Sequence, residues 1–220
     1  MERDRHLDLG VIRPAVDPTE RRLLAYALAV GAVSVPSAHG AIVYSGVQNL
    51  TLTRTAGSDA SLNINLDGGA TDFVLTWSDS TGIIQISSES HNVVVGDASG
   101  LLRLSAGASI GPGSSNSTQD KDLANYGASG TWASGNWAAG ATGYAGVALG
   151  SSGSSSTPWG WIQITLPASG TVGSQVVVNS WAYESTGGTS INAGAVPGPG
   201  ALVSLALGAV GLRARRSRAA

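Results

Sequence analysis

The chain of 220 residues contains no cysteine, 31 glycines and only 12% charged residues, and its formal net charge is −2. The lack of cysteine excludes disulfides and thiolate metal sites, and a glycine-rich, weakly charged composition favours β-structure with many turns over long helices. Between residues 41 and 195, nine acidic residues stand against three basic ones. The resulting net charge of −6 disfavours binding to nucleic acid.

Residues 1–40 are predicted to form a secretory signal peptide with a long charged n-region. Residues 23–35 are apolar on every side, and two arginines directly precede them. Basic residues, a short apolar helix and small residues in this order are typical of an export signal. The small residues near its end predict cleavage between Gly40 and Ala41. Cleavage one residue later fits less well, because it would place His39 at the −3 position.

The segment between the two chain ends, residues 41–195, is predicted to be one all-β domain. Apolar and polar residues alternate with a period of two in many short stretches, separated by Gly, Asn and Asp. This pattern predicts a single β-sandwich of the jelly-roll or immunoglobulin-like type, between the signal helix and a C-terminal hydrophobic helix. The predicted strands are Asn49–Thr55, Ser61–Asp67, Asp72–Ser78, Ile83–Ser87, Asn92–Val95, Leu101–Leu104, Gly143–Gly150, Trp159–Leu166 and Gln175–Glu184.

Alternation also predicts which side chains share a face. In the strand Trp159–Leu166, the apolar face carries Ile162, Ile164 and Leu166, with Trp161, Gln163 and Thr165 opposite. In the strand Gln175–Glu184, one predicted face carries Val177, Trp181 and Tyr183, and the other carries Val176, Val178 and Ala182. Residues 106–117 are predicted to be a Gly/Ser loop, and the charged run 120–122 a solvated loop.

A run of oxygen-bearing side chains raises the question of calcium. Asn63, Asn65, Asp67 and Gly68 match the first half of an EF-hand loop, but the twelfth position, which needs a bidentate Glu, is Val74. The sequence therefore predicts an ordinary β-turn here, with a looser calcium site on Asp67 and Asp72 as the alternative. We expect no other cofactor.

The acids and the histidine of the central segment are the residues on which hydrolysis would depend. His91 is its one histidine, Glu89 and Glu184 are its glutamates, and no Gly-x-Ser-x-Gly elbow occurs between a strand and a helix. A polysaccharide hydrolase would need these groups to line one cleft, with paired carboxylates or a serine beside the base. Nothing in their spacing brings them together, so we expect no catalytic residue and no enzyme activity.

Tryptophans provide a different hypothesis. Trp132 and Trp137 lie in a stretch rich in Gly, Ala and Ser, and exposed tryptophans on a β-domain can stack on sugar rings. Phenylalanine occurs only once in the chain, so tryptophans are also needed to fill the core. Carbohydrate binding through this pair and simple burial both remain open at this point.

The C-terminal 25 residues, 196–220, contain three parts in a fixed order. A Pro-Gly box interrupts regular structure, because its prolines fix φ and lack an N–H donor. Residues 201–212 are apolar but shorter than the roughly 20 residues that span a bilayer comfortably, and an arginine cluster follows, as expected on the cytoplasmic side. The box and the cluster consist of Val196, Pro197, Gly198, Pro199, Gly200, Arg213, Arg215, Arg216 and Arg218.

This order resembles the PEP-CTERM sorting signal of Gram-negative bacteria, in which a Val-Pro-Glu-Pro box precedes a short transmembrane stretch and an Arg-rich tail. Gly198 stands where that family usually has Glu. The resemblance implies processing by an exosortase-like membrane protease. It also implies export and a transient stay in the inner membrane, followed by release to the cell envelope, surface or extracellular matrix.

Three further segments are similar to the C-terminal halves of exported PEP-CTERM proteins: Trp159–Ile164, Trp181–Glu184 and Ile191–Gly194. The stretch Asn65–Phe73 is similar to a reduced form of their Asp-rich turn. The resemblance implies no substrate, because no activity is established for such proteins. It implies the exosortase-like protease as a partner, while the predicted signal peptide implies the export machinery and the tryptophan hypothesis adds extracellular polysaccharide.

Overall fold

The computed structural model describes residues 40–117, 120–150 and 156–198. These residues form fourteen strands and no helix, and every pairing between strands is antiparallel. The strands are β1 (Ile42–Tyr44), β2 (Leu50–Thr53), β3 (Ala60–Ile64), β4 (Phe73–Trp77), β5 (Ile83–Ser88), β6 (Val93–Asp97), β7 (Gly100–Leu101), β8 (Ser109–Ile110), β9 (Asn116–Ser117), β10 (Lys121–Asn125), β11 (Thr142–Ala148), β12 (Trp159–Thr165), β13 (Gln175–Glu184) and β14 (Ile191–Asn192). The predicted all-β class is therefore confirmed.

The strands are arranged in three sheets. An eight-stranded sheet follows the order β1-β13-β12-β11-β6-β7, with β2 also paired to β13 and β9 to β6. A four-stranded sheet follows the order β10-β5-β4-β3, and a two-stranded sheet pairs β14 with β8. β13 is long enough to hold both β1 and β2 along one edge, so the segment that enters the domain is paired from its first residues.

The four-stranded and eight-stranded sheets share one hydrophobic core. Alternate residues of β4, Phe73, Leu75 and Trp77, are fully buried, and they belong to the same cluster as Ile162 and Ile164 of β12. Period-two alternation puts every second side chain of a strand on one face, and these are the apolar ones. The predicted inner faces of both strands are confirmed.

The opposite face of the eight-stranded sheet carries a second apolar cluster. Trp159 and Trp161 of β12 pack there with Ile110 of β8 and Ile191 of β14. The small sheet thus covers the centre of the large one, which is why β12 is buried on both faces. A strand buried on both sides needs apolar residues at consecutive positions, as in Trp161-Ile162.

Two predicted loops contain strands. Residues 120–122 were expected to be a solvated loop, but Lys121–Asn125 forms β10, an edge strand paired with β5. A β-bulge at Leu123 lets it and Ala124 both be buried, while Asp122 accepts a hydrogen bond from Gln85. The Gly/Ser segment 106–117 likewise contains β8 and β9. These strands could not be predicted because their charged and small residues are typical of loops. The strands that pair with them are distant in sequence.

The faces predicted for β13 are also wrong. Val176 and Val178 lie on the inner face together with Trp181 and Tyr183, whereas they were expected on opposite faces. Ile164 pairs with Val178 but Gln163 pairs with Ser180, so Asn179 is an extra residue in a β-bulge. A bulge shifts the alternation by one position, and all residues after it exchange faces.

Candidate functional site

One cavity is bordered by residues next to both predicted processing segments. The cavity has a volume of about 240 Å³. Gly40 contributes to its wall from the N-terminal side and Ala195 from the C-terminal side, and Glu184 of β13 lines it as well. The remaining lining residues are Ile42, Thr189, Ser190, Ile191 and Asn192. The predicted signal-cleavage point and the residue before the Pro-Gly box therefore border one cavity.

On the N-terminal side, the residues at the predicted cleavage point are held by β13. Ile42 lies opposite Glu184 in the β1–β13 pairing. One residue earlier, the Ala41 N–H donates to Ser185 Oγ at 3.0 Å and the Ser185 N–H donates to the Ala41 carbonyl at 3.1 Å. Ala41 is thus fixed to the end of β13 by both of its backbone polar groups.

On the C-terminal side, the hydrogen bonding of the described residues ends at Ala195. The Ala195 N–H donates to Asn192 O at 2.9 Å, and Trp161 Nε1 donates to Ala195 O at 3.2 Å. Val196 is then 47% exposed, and Pro197 and Gly198 are exposed as well. The first part of the box therefore stands clear of the domain, while Pro199, Gly200 and the arginines lie outside the described residues.

The three segments that resemble exported proteins meet beside this exit. Trp161 contacts Tyr144 edge-on, with ring centroids 5.3 Å apart, and Tyr44 at 6.1 Å. Gly194 has a φ of 79°, and a Cβ there would lie 2.9 Å from the hydroxyl of Tyr144. Glycine is required at this position because the backbone both turns left-handed and passes close to an aromatic side chain. Residues of these motifs thus contact the chain directly before the Pro-Gly box.

Glu184 is the titratable group of this cavity, and it has no cationic partner among the described residues. Its side chain is only 4% exposed, and its Oε1 accepts a hydrogen bond from the Thr186 N–H at 3.2 Å. The single ion pair in residues 40–117, 120–150 and 156–198 joins Arg54 to Asp79. Burying a carboxylate without a cation is costly, so Glu184 is the feature of this site that needs an explanation.

A second cavity, of about 440 Å³, is built around Arg54. Arg54 is 4% exposed, its Nε donates to Asp79 Oδ1 at 2.9 Å, and its Nη2 donates to the carbonyls of Asp79 and Ala128. Its Nη1 donates to the Gly170 carbonyl. The guanidinium thereby joins three loops. The sequence analysis did not identify this site, although a lone arginine inside an apolar strand was a signal for it.

The electrostatics of this cluster are consistent with a structural role. A hydrogen bond from the Gly57 N–H and the neighbouring Arg54 guanidinium hold the pKa of Asp79 below its usual value. Nearby, burial raises the pKa of Tyr126 to about 12, and its hydroxyl donates to the Pro167 carbonyl. Both ionisable groups remain in the form that their hydrogen bonds require at neutral pH.

The structure does not bring Trp132 and Trp137 into one exposed sugar-binding platform. Trp137 is fully buried in the shared core and donates through Nε1 to Leu101 O at 3.2 Å, which corrects the paired-platform hypothesis. Core volume explains its burial, because the chain has few other large side chains. Trp132 is 40% exposed, and its Nε1 donates to Trp137 O at 3.1 Å, so its indole is held in place.

A polar cavity of about 310 Å³ is lined in part by residues that come shortly after Trp132 in the sequence. Asn136 contributes to its wall, and its Nδ2 is buried without a hydrogen-bond partner in the described part of the chain. The strand β10 provides the opposite side, with Asp122 and Asn125. Asn125 O accepts from the Ala133 N–H at 2.7 Å, which ties the stretch after Trp132 to this wall. Amide and carboxylate groups can bind sugar hydroxyls, and an exposed indole can stack on a sugar ring.

The proposed calcium residues organise a turn. Asp72 is 9% exposed, with Oδ2 accepting the Leu66 N–H at 2.7 Å and Oδ1 accepting Asn92 Nδ2 at 3.1 Å. Asp67 is exposed and accepts the Gly69 N–H at 2.8 Å. No group of three acidic or histidine side chains suited to a metal occurs among the described residues. The geometry fits the β-turn rather than calcium.

The hydrolase candidates do not share a cleft. Glu89 and His91 are exposed in the turn between β5 and β6, where the Asn92 N–H donates to Glu89 O at 3.0 Å. Ser90 and His91 have φ values of 52° and 69°, as in a type I′ turn, which here connects two different sheets. Glu184 instead lines the cavity at the chain ends, which neither of the other two borders.

Within the described ranges, no helix has the length and apolar character of a membrane span. The predicted signal helix, the apolar run 201–212 and the cluster Arg213, Arg215, Arg216 and Arg218 all lie outside those ranges. Comparison with protein-family models, curated proteins and solved structures finds no match for this chain.

Proposed function

We propose that this chain is an exported, non-catalytic surface or extracellular-matrix protein of a Gram-negative bacterium. A signal peptide, residues 1–40, carries a domain, residues 41–195, across the inner membrane, and a PEP-CTERM-like segment, residues 196–220, holds it there transiently. An exosortase-like protease then cuts near the Pro-Gly box. The domain itself is a single β-sandwich of jelly-roll or immunoglobulin-like type, consistent with the core shared by two antiparallel sheets.

The observation that carries the proposal is the closeness of the first and last residues of the predicted domain to one cavity. Gly40 and Ala195 line the same cavity, although 155 positions separate them in the sequence. A domain that is held by a signal helix and by a C-terminal apolar segment has both ends at one membrane surface. Such a domain can stand on that membrane without unfolding only if its ends emerge on one side.

The surroundings of the Pro-Gly box support processing there. The last internal hydrogen bonds of the described chain involve Ala195, and the box begins in exposed backbone at Val196. A protease needs an extended segment free of the fold, and prolines keep the segment from continuing a strand. The arginines would hold the tail at the cytoplasmic side, so the box would face the periplasm.

The direct experiment is intact mass and location of the native-host protein. We expect a wild-type species that begins at Ala41 and ends between Val196 and Gly200, outside the inner membrane. Deletion of residues 196–220 should remove the protein from that location. A matched variant in which the four arginines are replaced by glutamine should keep the box but lose the transient membrane stay. A wild-type protein that retains its arginines in the inner membrane would contradict the proposal.

A second candidate function is carbohydrate binding, favoured by the exposed, fixed indole of Trp132 and by a polar cavity whose wall contains Asn136, four positions along the chain. In this hypothesis the partner is extracellular polysaccharide of the producing cell. Co-sedimentation of the exported protein with that polysaccharide should be lost in Trp132→Ala and retained in Val172→Ala, which removes another exposed apolar side chain. Equal binding by both variants would remove this candidate.

A further inference from the structure

We infer that removal of the signal peptide completes the cavity at the chain ends, because the new α-ammonium group of Ala41 becomes the cationic partner of Glu184. This inference rests on the proposed export and on cleavage between Gly40 and Ala41. It assigns to signal cleavage a role in stabilising the folded domain, beyond release from the membrane.

The first argument is the state of Glu184 before cleavage. A side chain that is 4% exposed normally has its charge balanced by a cation or by several hydrogen bonds. Glu184 accepts one N–H, from Thr186, and no Lys, Arg or His of the described residues pairs with it. No other ionisable side chain of those residues lines the cavity. Among the described residues, the site therefore has an acceptor for a cation and no side-chain cation beside it.

The second argument is the position of the predicted cleavage point. A carbon at the Cβ position of Gly40 would lie 2.0 Å from Glu184 Oε1, so the Gly40 backbone touches this oxygen. Standard bond lengths then place the nitrogen of Ala41 within roughly 6 Å of Oε1. Cleavage removes Gly40 and frees the space between that nitrogen and the carboxylate. The nitrogen is already held near its place by Ser185 Oγ at 3.0 Å.

The third argument is the chemistry of the cleavage. Hydrolysis breaks the Gly40–Ala41 amide bond, the hydroxyl of water goes to the Gly40 carbonyl carbon, and the nitrogen takes up protons to become an ammonium at neutral pH. The amide nitrogen had one N–H to donate, whereas the ammonium has three. One can keep the bond to Ser185 Oγ and another can reach Glu184. A charge-assisted hydrogen bond replaces a close contact between a carboxylate and an uncharged backbone.

The consequence concerns β1, an edge strand with three residues paired to β13. An ion pair at its first residue would anchor the start of that strand at the point where the signal peptide left. The effect depends on the position of the cut. Cleavage before Ile42 would remove the residue that carries the nitrogen, and an upstream cut would leave Gly40 against Glu184.

The test uses the exported, processed protein, its N-terminus first determined by mass spectrometry. The rate of acylation of the Ala41 α-amine is then followed against pH in wild type, in Glu184→Gln and in Glu89→Gln, the control for an exposed glutamate. The ion pair raises the pKa of the amine, so at about pH 8 we expect acylation about tenfold slower in wild type than in Glu184→Gln. Glu89→Gln should react like wild type.

The outcomes separate the two proposals. Exported protein that begins at Ala41 and shows an ordinary α-amine pKa in wild type overturns the inference and leaves the proposed function standing. This measurement needs no variant, so it decides even if Glu184→Gln does not fold. A mature N-terminus at another residue overturns the inference together with the predicted cleavage site. Protein that is never exported overturns the proposed function itself.

Discussion

Arg54 and Glu184 are both charged, both 4% exposed, and lie in two different cavities of the same domain. Arg54 uses four of its N–H groups on Asp79 and on the carbonyls of three loops. Glu184 accepts one backbone N–H. The described residues thus supply an anion and three carbonyls for the arginine but no cation for the glutamate. A buried carboxylate with one hydrogen bond and no cation is the kind of group that a new ammonium can stabilise, and this is the basis of the proposed role of the Ala41 amine.

The largest loss of stability that this comparison predicts is that of Arg54→Ala. Removing the guanidinium leaves loop carbonyls and the Asp79 carboxylate without their donors, which should lower the free energy of unfolding by about 3 to 5 kcal/mol. Urea unfolding of the exported protein measures it. Arg103→Ala removes an exposed arginine and should change stability by less than about 0.5 kcal/mol. Similar values for the two variants would show that Arg54 does not hold the loops together.

Gly40→Ala should destabilise the uncleaved precursor without changing the stability of the mature protein. A methyl group at this position would lie 2.0 Å from both Glu184 Oε1 and Thr186 Oγ1, so the side chains must move, at a cost of about 1 to 3 kcal/mol in the uncleaved chain. Alanine is acceptable to signal peptidases at this position, and after cleavage residue 40 is gone.

We therefore expect a lower thermal midpoint for a cleavage-blocked Gly40→Ala precursor than for the blocked precursor with Gly40. The two processed proteins should have identical midpoints, since their sequences are the same. A precursor unaffected by the extra methyl group would mean that Gly40 is not packed against Glu184 before cleavage.

Acidification should weaken the Arg54 cluster first. Because the Gly57 N–H and Arg54 lower the pKa of Asp79 in the folded state, its contribution to stability is present above its unfolded pKa of about 3.8. This contribution to stability is lost as the pH falls through the lower pKa that Asp79 has in the folded state. The free energy of unfolding should therefore decrease as the pH drops below about 4. In Asp79→Asn, which cannot titrate, this part of the pH dependence should disappear; an unchanged acid limb would assign it to other carboxylates.

The smallest effect on the fold is expected at the exposed tail. Among the described residues, no atom other than those of its chain neighbours lies within 4 Å of a Cβ built on Gly198, so Gly198→Glu should change the free energy of unfolding by less than about 0.5 kcal/mol. It restores the Glu that the PEP-CTERM box usually has. We expect a larger processed fraction in the native host, measured by intact mass, with Gly198→Gln as the uncharged control. An equal fraction for all three chains would show that processing here does not read this position.

Several features could be predicted from the residues themselves because their cause is local. Ile162 and Ile164 alternate with polar or opposite-facing neighbours, and alternation follows from strand geometry alone. The strand at Lys121–Asn125 could not be predicted, because its charged start reads as a loop until β5 pairs with it. The two-residue strands β8 and β14 pair with each other across about eighty positions of sequence, so neither could be predicted from its own residues.

The candidate sites also include some features with a local cause and others that depend on distant contacts. Small residues before Ala41 and the Pro-Gly box after Ala195 are visible in the sequence, because sorting signals act as linear segments. That Trp137 is buried while Trp132 is exposed was not visible, since both lie in the same kind of stretch and only packing against Leu101 distinguishes them.

By itself, the sequence determined the β character of the domain, since strand alternation depends on neighbouring residues, and it predicted two terminal sorting signals. Tertiary structure alone decided that Ala41 meets Ser185 across 144 positions and that Gly40 and Ala195 border one cavity. It also decided that Arg54 has an ion-pair partner among the described residues whereas Glu184 has none. The physical reason is that pairing and burial of charges arise from contacts between distant segments, and these exist only after the sheets have formed.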